Sequence, residues 1–201
     1  MMREMLQAAT RINLDKVSVL IVDDSAPSLD LLAQVVSGFG VKTLQRADSA
    51  REAQLHLRDK AFDLIISATN MAGVDGYELV KWLRRGALEA NRYAPVILVS
   101  GHTPPSQVFK ARDAGANFTV AKPITPKVLL ERILWAAKEE RQFIECDSYL
   151  GPDRRFKNEG PPIGVEGRRR DDLRGDLSDL AGDNMSQEQI NGLMRPSKVK
   201  L

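Results

Sequence analysis

The residues with chemistry to offer are the adjacent carboxylates Asp23 and Asp24, the hydroxyl of Ser100 and the ammonium of Lys122, each at the end of a short apolar run. Paired carboxylates supply oxygen ligands to a hard divalent cation such as Mg²⁺. A hydroxyl and a lysine suit phosphoryl oxygens, whose negative charge they offset. A further run, "FDLIIS" (62–67), ends instead at Ala68. A methyl group ligates no cation. Its neighbours are poor substitutes: alternation turns Ser67 to the other face of its strand, and Asp75 belongs to the following glycine-containing turn.

Whether these groups meet depends on the elements that carry them. "VSVLIV" (17–22), "VKTLQ" (41–45), "FDLIIS" (62–67), "PVILVS" (95–100) and "NFTVA" (117–121) are short and mostly aliphatic or β-branched, as strands buried on both faces of a parallel sheet should be. Helical segments lie between them. After Pro27, Leu29, Leu32, Val35 and Val36 recur at helical spacing, with Gly38 and Gly40 at the end. "SAREAQLHLRDK" carries an Asp48/Ser49 cap, then Ala53, Leu55 and Leu57. "GYELVKWLRRGALEA" sets Tyr77, Val80 and Leu83 on one stripe, "PSQVFKARDAG" ends at Gly115, and "TPKVLLERILWAAKEERQFI" starts with Thr125 as N-cap and Pro126 at its first position. Strand and helix alternating in this way predict an α/β, (βα)5 doubly wound parallel sheet. The carboxyl ends of such strands form one rim, where ligands bind.

"LIVDDSAPSLDLL", "DLIISATNMAGVDGYEL", "PVILVSGH" and "AGANFTVAKPIT", in this order and spacing, resemble the receiver domain of bacterial two-component response regulators. The resemblance covers about residues 15–140. It implies a flavodoxin-like fold of strand order 2-1-3-4-5 and a role in phosphorelay signal transduction, with output by protein–protein contact rather than enzymatic turnover of an external substrate. It further implies that Asp23, Asp24 and the backbone carbonyl of Asn70 hold Mg²⁺, that Ser100 is the switch hydroxyl, and that Lys122 binds the phosphoryl group beside a Pro123 that often follows a cis peptide. An acceptor Asp is expected where Ala68 stands, so as written the chain is phosphorylation-dead, with weak or no Mg²⁺ binding. Thr119 stands where the family usually has an aromatic switch residue. Partners implied are a sensor histidine kinase or histidine phosphotransfer protein, and a downstream protein on the face of helix 4, strand 5 and helix 5. The intact set around Ala68 favours a working receiver whose acceptor was replaced by engineering. The alternative is a natural pseudo-receiver that docks partners without phosphorylation.

Composition bounds the remaining choices. The chain has 201 residues, 43% hydrophobic and 28% charged, with a net charge of +2, so no global charge drives it toward nucleic acid or membrane. Its N-terminus carries acidic and polar residues where a signal peptide needs an apolar core, and no run approaches a membrane span, which places it in the cytoplasm. The single Cys146 excludes an intrachain disulfide. His56 and His102 read as surface residues.

Three parts are expected: an extension over 1–14 that docks through Met5, Leu6 and Ile12, the receiver over 15–144, and a largely disordered tail over 145–201. "YLGPDRRFKNEGPP" and "EGRRRDDLRGD" resemble the Arg-rich tail of a group of alphaproteobacterial receivers. Arg154, Arg155, Arg168, Arg169 and Arg170 are suited to clamp phosphates, as of a cyclic dinucleotide or nucleic acid. The acidic residues among them favour a solvated mixed-charge segment instead. "MSQEQINGLM" (185–194) predicts a short helix capped by Ser186, with Met185, Ile190, Leu193 and Met194 on one side. It is similar to the N-terminal peptide of the flagellar switch protein that binds phosphorylated chemotaxis receivers. The expectation is that it binds its own helix 4–strand 5 face or a neighbour's, with self-association as one outcome.

Overall fold

The computed structural model describes residues 14–86, 88–138, 141–146, 149–153 and 184–194. Five parallel strands, β1 (Ser18–Val22), β2 (Thr43–Ala47), β3 (Leu64–Ala68), β4 (Val96–Ser100) and β5 (Phe118–Ala121), form one sheet in the order β2-β1-β3-β4-β5. Helices α1 (Ala26–Gly38) and α5 (Pro126–Ala137) cover one face. Helices α2 (Ala50–Asp59), α3 (Gly76–Gly86) and α4 (Pro105–Ala114) cover the other. The doubly wound, flavodoxin-like sheet and its strand order are as the sequence reading expected.

Period-two alternation divides the core between the faces. Val19, Ile21, Ile66, Ile97, Val99, Phe118 and Val120 meet Leu32 and Val36 of α1 and Leu129 and Ile133 of α5. Leu20, Val22, Ile65, Val96 and Leu98 meet Leu57 of α2, Val80 and Leu83 of α3 and Ala111 of α4. In α2 the inward pair is Ala53 and Leu57, one helical turn apart, whereas Leu55 is 60% exposed because its position turns it to the opposite side.

Capping explains where the helices start. The Ser49 side chain accepts from Glu52 N, and Thr125 does the same for Val128 N at α5. Gly115 ends α4 in the left-handed region at φ 97°, and a Cβ there would also lie 2.7 Å from Leu150 O.

The structure departs from the sequence reading after α5. The helical segment read as running to Ile144 stops at Ala137. Two antiparallel strands follow, β6 (Phe143–Cys146) and β7 (Tyr149–Pro152), straddling the expected boundary at residue 144. Tyr149 and Leu150 are buried, and Phe143 stacks edge-on to Tyr93 at 5.5 Å between ring centres. The long segment 76–90 is likewise broken, with α3 ending at Gly86 and a single helical turn at Glu89–Arg92.

A last helix, α6 (Gln187–Met194), packs against β5. Ser186 and Gln189 cap it reciprocally: Gln189 N donates to Ser186 Oγ at 3.3 Å and Ser186 N to Gln189 Oε1 at 2.8 Å. Ile190 is buried in the α1/α5 core, with Met185 against the same cluster. Met5, Leu6 and Ile12, the five tail arginines, and the side chains of Leu193 and Met194 lie outside the described residues.

Candidate functional site at the strand ends

Parallel register brings the carboxyl ends of β1, β3, β4 and β5 to one rim. Val22 pairs with Ser67, Ala68 with Val99, and Ser100 with Ala121. Asp23 therefore leaves β1 beside the end of β3, while Lys122 leaves β5 with its N–H on Ser100 O at 2.7 Å. The Lys122–Pro123 peptide bond is cis.

The charged groups here satisfy one another. Asp23, only 1% exposed, accepts from Ser25 N at 2.9 Å through Oδ1 and from Lys122 Nζ at 3.0 Å through Oδ2. Lys122 Nζ also reaches Ser28 Oγ at 3.3 Å. A carboxylate so deeply buried needs such a partner, since an uncompensated charge there is costly. Asp24 is exposed and accepts from Ala72 N at 2.8 Å, fastening the loop after β3. Ser100 Oγ is held in a local turn, donating to His102 O at 2.6 Å and accepting from His102 N at 3.2 Å. Asn70 is exposed on the loop beyond Ala68.

Ala68 itself is buried, and its carbonyl accepts from Ser67 Oγ at 3.0 Å, so the Ser67 hydroxyl is spent on backbone. Asp75 is spent too. Its Oδ1 caps α3 by accepting from Glu78 N at 2.8 Å, and Oδ2 pairs with Lys110 Nζ at 3.2 Å. The same ammonium sits 4.2 Å from the ring centre of Tyr77. Burial raises the Tyr77 phenol above its ordinary pKa, a hydrogen bond with the Thr69 side chain pulls it back, and the Asp75 charge adds to the rise.

The start of α3 presses on this strand end. A Cβ at Gly76 would lie 2.1 Å from Ala68 O and 3.0 Å from Thr69 Cα, both backbone atoms with no freedom to retreat. Gly76→Ala should therefore lower stability by about 1–3 kcal/mol and displace the position-68 backbone. Urea denaturation gives the first effect. Amide chemical shifts of residues 67–70 give the second.

A divalent cation would draw on Asp23, Asp24 and the carbonyl of Asn70. The side chains of this chain do not complete such a site: Asp23 is held by Lys122, Asp24 by Ala72 N, and position 68 contributes a methyl. Among the described residues no group of three or more His, Cys, Asp or Glu side chains is placed to hold a metal ion. No step through a metal follows for the chain as it stands.

Residues 19–134, more than half of the chain, match the model of the response regulator receiver domain. The chain belongs to the response regulator receiver family. The receiver is 30% identical over 115 residues to chemotaxis protein CheY-3 of Vibrio cholerae, covering 57% of this chain and 87% of that protein. It is 31% identical over 115 residues to chemotaxis protein CheY of Pseudomonas aeruginosa, covering 57% and 91%. Among solved structures, chemotaxis protein CheY4 of Vibrio cholerae superposes with a TM-score of 0.56 at 28% identity, covering 60% of this chain and 98% of that one. These likenesses place the chain in two-component signalling as a CheY-like receiver.

Sequence reasoning missed the outer edge of the receiver's β5. Thr119 is buried, its Oγ1 has no hydrogen-bond partner among the described residues, and its carbonyl accepts from Gln187 Nε2 at 3.2 Å. Gln187 Oε1 in turn accepts from Ala121 N at 2.8 Å. The "MSQ" stretch signalled a helix cap, but nothing in the sequence marked Gln187 as a partner of β5.

Proposed function

We propose that this chain acts as the receiver of a response regulator in a phosphorelay, in the cytoplasm, and that its acceptor carboxylate is replaced by Ala68. The reading is carried by one observation: Asp23, Ser100 and Lys122 converge on the rim of a receiver sheet around a position that holds only a methyl. In the Ala68→Asp form, a carboxylate oxygen at position 68 would attack phosphorus on a kinase or phosphotransfer histidine. The O–P bond forms as the N–P bond breaks, and Lys122 and Ser100 bind the phosphoryl oxygens once released from their present partners. Asp23, Asp24, the Asn70 carbonyl and the new carboxylate would hold Mg²⁺, which would supply charge neutralisation there. Output passes to a protein partner through the face of α4, β5 and α5.

A second reading has its own support. Lys122 on Asp23 and Ser100 in its turn leave these groups satisfied with no phosphoryl present, as suits a docking module that works without phosphorylation. Acetyl phosphate labelling separates the two. Mg²⁺-dependent incorporation into the Ala68→Asp protein, with none into the unaltered chain, supports the first. No incorporation into either protein supports the second.

A further inference from the structure

The segment from Asn184 onward touches the receiver where its two phosphoryl-site loops emerge. Met185 N donates to Thr103 O at 2.7 Å, Thr103 N to Asn184 Oδ1 at 2.9 Å, and Thr103 Oγ1 to Met185 O at 3.0 Å. Thr103 lies three residues beyond Ser100. One helical turn on, Gln187 bridges Thr119 O and Ala121 N, directly before Lys122. Ile190, 1% exposed, enters the α1/α5 core, and Asn191 accepts from the buried Arg132 of α5. Arg132 lies 3.9 Å from the ring centre of Trp135, and Gln187 Nε2 orients Asn191 at 2.9 Å.

We propose that residues 184–194 are a cis-bound ligand of the α4–β5–α5 face, and that this face takes in their place a partner segment of the same chemistry. That partner is extended for two residues, then helical, with a glutamine at its first helical position, a branched apolar residue three positions on and a hydrogen-bonding amide next. The pattern is Gln-x-x-Ile-Asn. Such a plug is built to be displaced. Among the described residues, one buried isoleucine, a partly buried methionine, five neutral hydrogen bonds and one donated by the Arg132 guanidinium are set against the ordering of a whole peptide segment, which leaves a near balance. Its attachment to the same chain makes the balance favourable, since a tethered ligand acts at an effective concentration on the order of millimolar. A free partner must outbid that concentration, so the tail sets a threshold for output. Because the plug grips Thr103 and Ala121, any change in the Ser100 and Lys122 loops alters its hold, and the reverse is equally true. The inference deepens the output-face reading given above. It requires no phosphoryl group.

The test uses a fluorescein-labelled peptide of residues 184–194, read by anisotropy against the unaltered chain and against the full-length Ile190→Asp chain. The Ile190→Asp chain should bind the peptide at least tenfold more tightly, and Gln187→Ala in the labelled peptide should weaken that binding. Amide resonances of Thr103 and Ala121 should shift in the Ile190→Asp chain and return on saturation with peptide. If Ile190→Asp does not fold, the full-length Gln187→Ala chain replaces it, with the same order of affinities expected. Equal binding by altered and unaltered chains overturns the plug, as does failure of the altered chain to bind at millimolar peptide. All of this is measured with Ala68 in place, so a failure of phosphoryl chemistry leaves the result standing.

Discussion

Ala68→Asp will make the protein less stable in the absence of Mg²⁺ and, in the same step, create Mg²⁺ and beryllofluoride binding where the unaltered chain is expected to show weak binding or none. The new carboxylate arrives beside Asp23, which is buried and already neutralised by Lys122 at 3.0 Å. One ammonium must then serve two carboxylates in a partly desolvated site, with Asp24 close by. Burying a poorly compensated polar group costs about 1–3 kcal/mol, and that is the expected loss in a metal-free urea titration. Metal reverses the sign. A ligand at a hundred times its Kd stabilises the state it binds by about 2.7 kcal/mol, so saturating Mg²⁺ should restore or exceed the stability of the unaltered chain. Tryptophan fluorescence or NMR then reads beryllofluoride. Identical melts of the two proteins with and without Mg²⁺ would refute the placement of the acceptor at position 68.

The second large effect lies away from the rim, at Arg84. This side chain is 1% exposed and, among the described residues, has no carboxylate as a hydrogen-bond partner. Its charge is met by backbone and amide oxygens instead: Nε and Nη2 donate to Gly115 O at 3.1 and 2.9 Å, Nη1 to Arg92 O and Ala94 O at 2.7 and 2.8 Å, and Nη2 also to Asn117 Oδ1 at 3.2 Å. The ring centre of Phe143 lies 5.1 Å from the guanidinium carbon. Burial pulls the guanidinium down to about 9, with Tyr149 acting in the opposite direction. It remains charged at neutral pH. One residue thus ties the end of α3 to the turn at 89–92, the start of β4, the loop before β5 and the terminal hairpin. Arg84→Met keeps much of the packing but strands these acceptors away from water. We expect a loss of about 1–3 kcal/mol for each acceptor left unsatisfied, read by urea denaturation, with early proteolysis at residues 143–152. Arg84→Lys should recover only part, because a single ammonium cannot span the fork. A loss below about 1 kcal/mol for Arg84→Met would show that water replaces the guanidinium without penalty.

The contrast between these two sites explains what the sequence can disclose. Asp23, Ser100 and Lys122 were legible because each follows a short apolar run, and a parallel sheet brings the ends of such runs together. Arg84 was not. In "GYELVKWLRRGALEA" two arginines near a helix end look like ordinary dipole partners, and only the chain's return at Gly115 and Asn117 makes one of them interior. The terminal hairpin stayed hidden for a related reason. "RQFIECDSYLGP" divides in the sequence between a helix read to Ile144 and a tail read from 145, and its burial depends on distant surfaces, Gly115 and the Arg84–Phe143 stack. Tail docking was foreseen in kind, through Ile190 and the Ser186 cap. Its anchor was not, since a glutamine has no periodic signature.

That anchor has a consequence for handling the protein. β5 is the last strand of the sheet, and Thr119 C=O and Ala121 N–H are among the groups its outer side offers to a further strand. A single primary amide, Gln187, fills both positions and ends the ladder where a sixth strand would begin. An open sheet edge is a template for intermolecular pairing. Trimming the chain to its (βα)5 core removes the stop along with the tail, so the shortened protein should gain accessible binding surface and lose colloidal solubility together.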